Sequence, residues 1–203
     1  MTTRHIVLAA TLATAAATMA QSEDRQTAIF AGGCFWCTEA DYDKVGGVLE
    51  TTSGYIGGTT ENPTYEEVTQ GSSGHFEAVR VTYDADIVSY EDLVDIFWRT
   101  VDPTDDGGQF CDRGPSYRTA VFAVDAEQAE IAQSSRAEAQ AELGQDIVTP
   151  IVEASTFWPA EGYHQDYHQT SSVRYTLYRR ACGRDARLRQ LWGDAAGGLE
   201  SRS

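Results

Sequence analysis

Residues 27–39 read Thr-Ala-Ile-Phe-Ala-Gly-Gly-Cys-Phe-Trp-Cys-Thr-Glu, and three kinds of local structure follow one another within them. Thr27 to Ala31 is a short apolar run of the length of a buried strand. Gly32-Gly33 supplies a tight turn, because glycine reaches backbone conformations closed to other residues. Cys34 then opens a helix expected to run towards Asp43 or Lys44, with Gly46-Gly47 to stop it. Strand, turn and helix in one short stretch begin an alternation that the rest of the chain continues.

Val48 to Tyr55 reads as a second strand, ended by Gly57-Gly58. Phe76 to Tyr83 alternates in part, with Glu77, Arg80 and Thr82 between apolar residues, as a half-buried strand does. Ser89 and Asp92 form a capping-box-like start to a helix whose face carries Leu93, Ile96 and Phe97 before Pro103. Residues 102–117, with Gly107, Gly108 and Gly114, form a long irregular loop, and loops of that length in a compact domain usually serve function. Arg118 to Val124 is a strand, and Asp125 caps an Ala- and Glu-rich helix that ends at Leu143-Gly144. Ile151 to Ala154 is expected to be the last strand, followed by an aromatic-rich tail. The alternation predicts an α/β fold, a two-layer sandwich, over an all-β or helical-bundle one.

The chain has 203 residues, with 15 Lys+Arg against 31 Asp+Glu and a net charge of −16. Hydrophobic residues make up 41% and charged residues 23%, the composition of one globular domain. Such acidity argues against nucleic acid or an anionic membrane as a partner. Residues 1–20 stand apart. Arg4 and His5 precede an apolar run of small residues from Ile6 to Ala17, and Thr18-Met19-Ala20 offers a small-x-small cleavage site. This is the pattern of a secretory signal peptide. Its removal would leave residues 21–203 as the domain, in the periplasm or secreted. The only methionines are Met1 and Met19, so the exported chain would lack the side chain that oxidants turn into a sulfoxide.

Four cysteines remain, Cys34, Cys37, Cys111 and Cys182, and an exported chain permits disulfides. Cys111 and Cys182 have neither a close partner cysteine nor a histidine at zinc-ligand spacing, so no metal is expected. Thr38 in place of histidine excludes the Cys-x-x-Cys-His haem attachment pattern. Cys34 at a helix start meets free N–H groups and the positive end of the helix dipole, which favour a thiolate. Cys37 follows one turn later, within reach for a disulfide, and Phe35 and Trp36 can wall an apolar pocket. A thioredoxin-like dithiol oxidoreductase would share the Cys-x-x-Cys pair, but none of the five prolines stands in the context such a protein needs. A disulfide-stabilised binding protein is a third reading.

The stretch Gly33-Cys34-Phe35-Trp36-Cys37-Thr38-Glu39 resembles the signature of the A-type methionine sulfoxide reductases, the peptide methionine-(S)-S-oxide reductases. Further motifs stand in the family's order: Gly54-Tyr55-Ile56-Gly57-Gly58, Asn62-Pro63-Thr64-Tyr65-Glu66-Glu67-Val68, Gly74-His75-Phe76-Glu77-Ala78-Val79, Asp102-Pro103-Thr104, Tyr117-Arg118 and Tyr163-His164-Gln165-Asp166-Tyr167. The resemblance spans residues 27–193. It implies a single-domain sandwich with a ferredoxin-like core, a mixed sheet and an irregular C-terminal segment. It implies an enzyme that needs no cofactor, works as a monomer on oxidised methionine in proteins or free, and is recycled by a thioredoxin-like reductant.

By the same resemblance Cys34 is the nucleophile that becomes a sulfenic acid. Glu77 is the acid that protonates the sulfoxide oxygen, with the Tyr65 and Tyr117 phenols beside it. A carboxyl group that donates at neutral pH needs a raised pKa. Asp112 positions the ligand, Phe35 and Trp36 hold the S-methyl group, and His164 with the tyrosines near it completes the pocket. Many relatives have glycine at the place of Cys37 and recycling cysteines in a glycine-rich tail, so two schemes stay open. In the one taken first, Cys34 and Cys37 are the redox pair and Cys111–Cys182 is structural. In the other, Cys182 resolves Cys34.

Overall fold

The computed structural model describes residues 24–198; the expected signal segment, residues 1–20, lies outside them. The first strand, β1 (Arg25–Gly32), leads through Gly33 and Cys34 into α1 (Phe35–Tyr42), and β2 (Val48–Ile56) follows. A short helix α2 (Tyr65–Thr69), β3 (Phe76–Asp84) and α3 (Tyr90–Thr100) come next. The loop after α3 contains a small hairpin, β4 (Gly108–Gln109) with β5 (Asp112–Arg113), and a 3-10 turn at Pro115–Tyr117. Then come β6 (Thr119–Ala123), α4 (Ala126–Leu143), β7 (Ile151–Glu153), β8 (Trp158–Pro159), and the helices α5 (Tyr167–Thr170), α6 (Ser172–Ala181) and α7 (Arg184–Trp192).

The main sheet has the order β7-β6-β1-β3-β2-β8. Its four central strands are antiparallel, and read across the sheet and numbered by their order in the chain they run 4-1-3-2, the arrangement of the ferredoxin-like split βαβ unit. A parallel pairing of β7 on β6 and an antiparallel pairing of β8 on β2 extend it at the two edges, which makes the sheet mixed. The single-domain α/β sandwich is therefore as the sequence implies.

Alternation along β1 shows why its sequence is an unbroken apolar run. Ala28 and Phe30 face the helices, while Ile29 and Ala31 join a smaller cluster on the opposite face with Ile56, Ala78, Ala120 and Phe122. Phe30 stacks on Tyr42 of α1 and on Phe97 of α3, with centroids 5.0 and 5.3 Å apart. Ser89 and Asp92 make the capping box that their spacing predicts for α3, and Gly144, at φ 66°, ends α4 in the left-handed conformation.

The C-terminal segment corrects one expectation. It is largely helical rather than irregular, and β8 follows the strand expected to be last. Nothing in α6 marks an amphipathic face, since all its residues are exposed or half-buried. Specific contacts hold the segment instead. Gln165 pins it to β2, donating to the Ser53 and Ala160 carbonyls at 2.9 and 3.0 Å and accepting from Ser53 N–H at 2.9 Å. A disulfide joins Cys111, beside β5, to Cys182, at the end of α6. Arg184 of α7 is buried, donates to the Thr100 carbonyl at 2.7 Å and lies over the Phe110 ring at 4.7 Å.

Candidate active site

The turn out of β1 aims Cys34. Gly33 adopts φ +82°, and a Cβ there would meet Gln109 Cβ at 2.5 Å, so the position admits only glycine without strain. Gln109 is fully buried and locked by hydrogen bonds with Asp102 N–H and the Asp102 carbonyl, each 2.8 Å, so it cannot give way. Beyond the turn, Cys34 opens a cavity of about 100 Å³. Phe35 and Trp36 line it with Tyr65 from α2 and Glu77 from β3. Asp112, Tyr117 and Tyr178 close the other side.

Glu77 is 1% exposed, and its Oε2 accepts the Phe35 N–H at 3.0 Å. Burial pushes its pKa up to about 8, with the charge of Asp112 adding and the Phe35 N–H opposing. At neutral pH the group is mostly a neutral acid. Tyr65 and Tyr117 stand beside it, both held above the ordinary phenol range by burial first and then by the negative charge of Glu77.

His164 is also buried. Its Nδ1 accepts the Trp36 indole N–H at 3.1 Å, and burial lowers its pKa, so the ring is neutral with its proton on Nε2. The imidazole lies 4.9 Å from Phe35 and 4.5 Å from Tyr65, centroid to centroid. Trp36 in turn stacks flat on Tyr167 at 3.8 Å. Glu161 fixes the approach of α2 by accepting Tyr55 O–H at 2.8 Å and Tyr65 N–H at 2.9 Å.

Cys34 and Cys37 carry free thiols, both buried, whereas Cys111 and Cys182 are bonded to each other. Burial raises Cys34, and the neighbouring Cys37 and Glu77 raise it further. Cys37 is lowered, by a hydrogen bond from Cys34 above all and then by the charges of Arg184 and Arg179, against burial. The helix start thus leaves Cys34 protonated in the resting site, contrary to the thiolate expected from its position. Desolvation outweighs the dipole of an eight-residue helix.

Every residue singled out in the sequence lies in or against this cavity except Cys111 and Cys182, which close the bridge at its rim. Tyr167, one of the tyrosines near His164, backs Trp36. Two contributors were missed: Tyr178 donates a hydrogen bond to Asp112 Oδ2 and faces Cys34, and Arg184 donates to the carbonyl of Gly32 at 3.3 Å, directly before the turn. The run of tyrosines and arginines after residue 174 was the available signal.

A buried dithiol, a neutral carboxylic acid and an aromatic wall around one small cavity define a cysteine-based oxidoreductase. A family model described as peptide methionine sulfoxide reductase matches residues 26–196. Peptide methionine sulfoxide reductase MsrA 2 of Rhizobium meliloti is 54% identical over 177 residues, 87% of this chain and 88% of that protein. The protein of the same name from Caulobacter vibrioides is 57% identical over 169 residues, 83% of this chain and 86% of that one. Among solved structures, reduced Mxr1 from Saccharomyces cerevisiae is similar with a TM-score of 0.70 and 29% identity, covering 73% of this chain and 86% of that chain. The chain belongs to the peptide methionine sulfoxide reductase family and is an enzyme of it. With that, the thioredoxin-like and binding-protein readings fall away.

Proposed function

We propose that this enzyme reduces the S epimer of methionine sulfoxide, peptide-bound or free, and that it repairs oxidised proteins outside the cytoplasm. The observation that carries the reading is the neutral, buried Glu77 sharing one small cavity with the Cys34 thiol. The S-methyl group lies against Phe35 and Trp36, and the sulfoxide oxygen meets Glu77, Tyr65 and Tyr117. Cys34 attacks the sulfoxide sulfur while Glu77 gives a proton to the oxygen. Methionine leaves and Cys34 holds the oxygen as a sulfenic acid.

Cys37 then displaces that oxygen as water and forms a disulfide with Cys34. Its position one turn along supports this role, as does its lowered pKa, because the thiolate is the attacking species. The bond between Cys111 and Cys182 supports a structural part for that pair. A thioredoxin-like dithiol returns the monomeric enzyme to its starting state. Turnover of the two sulfoxide epimers with dithiothreitol, in wild type and Cys34→Ser, tests the reading. The S epimer alone should be consumed, and the serine variant should be inactive. Turnover by Cys34→Ser would overturn it.

A further inference from the structure

We propose that Tyr178 is a further catalytic residue, which passes the Cys34 thiol proton to the Asp112 carboxylate as Cys34 attacks. The inference rests on the reading of Cys34 as nucleophile and supplies what that reading lacks, a base. Glu77 must arrive protonated to serve the sulfoxide oxygen, so it cannot also accept the thiol proton. Cys34 itself rests as a thiol, held up by burial.

The geometry provides the second arm. Tyr178 lines the same cavity as Cys34 and donates its phenol proton to Asp112 Oδ2. Across this small cavity its phenol stands opposite the Cys34 sulfur and favours the charged form there. A phenol placed so can accept a proton at its oxygen as it gives its own away, without ionising. Burial holds Asp112 above the usual carboxylate range, opposed by Tyr178 and by Arg184 of α7, which improves it as an acceptor near neutral pH. Cys37, Glu77, Tyr65 and Tyr117 are the other titratable groups around Cys34.

The step balances. The thiol proton reaches Asp112 and the Glu77 proton reaches the oxygen. The Cys34 sulfur is oxidised by two electrons and the substrate sulfur reduced by two. A proton taken from solvent by Glu77 and one released by Asp112 restore the site. The disulfide explains how the arm is held. Asp112 directly follows Cys111, and the Cys182 N–H donates to the Tyr178 carbonyl at 3.0 Å, one helical turn back. The bridge therefore fastens acceptor and relay to each other across the cavity.

Tyr178→Phe keeps the ring, which meets Trp36 edge-on at 5.9 Å, and removes only the hydroxyl. Methionine release in a single turnover should slow by roughly 10²-fold, the lower end for an acid–base group, with KM for the sulfoxide unchanged. The pH limb for alkylation of Cys34 by iodoacetamide, read in a Cys37→Ser background, should move upward. Asp112→Asn should slow the same step, and the double variant should be no slower than the worse single one. Wild-type rates in Tyr178→Phe would overturn the proposal. So would a slowed reaction with an unmoved alkylation limb, which is what lost packing alone produces. Neither result touches the Cys34→Ser test, so the two readings fail separately.

Discussion

Replacing Glu77 by Gln changes one proton in a site where that proton has two separate effects. The glutamine oxygen can still accept the Phe35 N–H that Glu77 accepts at 3.0 Å, so the helix start stays in place while the acid is lost. Single-turnover methionine release at pH 7 should fall roughly 10²–10⁴-fold, the usual range for a general acid. The wild-type pH profile should show a limb near pH 8, where Glu77 titrates, and Glu77→Gln should lack it. The second effect is on stability. The folded chain keeps the Glu77 proton to about pH 8, while the unfolded chain releases it near the ordinary 4.5. Between those values the folded state binds the extra proton, so wild-type stability falls as pH rises and the loss is complete above about 8. Its size follows from the two values and is on the order of 5 kcal/mol. Urea unfolding should therefore find the two proteins alike near pH 4 and Glu77→Gln the more stable at pH 8.5. A wild-type single-turnover rate in Glu77→Gln at pH 7, or parallel stability curves, would refute the reasoning.

Three further outcomes are expected. Cys182→Ser opens a bridge between residues 71 apart in sequence and should cost 2–5 kcal/mol, roughly, yet still form one disulfide per methionine released; thermal unfolding and disulfide mapping by mass spectrometry read both. Cys37→Ser should release one methionine and stall as the sulfenic acid, detected by trapping with dimedone; a normally recycling variant with a Cys34–Cys182 linkage in wild type would reverse the assignment. Gly33→Ala forces a methyl group against Gln109 at a backbone angle closed to alanine, and should lower the melting temperature and slow the first turnover together.

How much of this was legible depends on the range of the interaction. The turn at Gly32-Gly33, the capping box at Ser89 and the stop at Gly144 are local chemistry, and the structure has them where the residues stand. β8 has two residues and exists only because β2 offers an edge, so no period could announce it. Helices α5 and α6 bury no residue fully and are held by Gln165 and the disulfide, while the buried face of α7 is only Arg184, Leu188 and Trp192, with the charged Arg184 meeting carbonyls distant in sequence. The aromatic and acidic residues of the cavity were found through the motifs they belong to. Tyr178 lies outside those motifs, and its role emerges only when α6 is laid beside β5. The protonation of Cys34 was misjudged because the dipole is a local property and desolvation is a property of the assembled site.

The bridge between Cys111 and Cys182 has a topological meaning as well. The chain between them supplies β6 and β7 at one edge of the sheet, crosses, and supplies β8 at the other. One covalent ring thus clasps both margins of the sheet, with β1, β3 and β2 inside the clasp. Short edge strands ordinarily fray independently, each with its own low opening energy. Here, letting go of either margin leaves the ring closed and the other margin still gripping. Amides of β7 and β8 should share one slow class of hydrogen exchange while the ring is intact, and separate into two faster ones when it is cut.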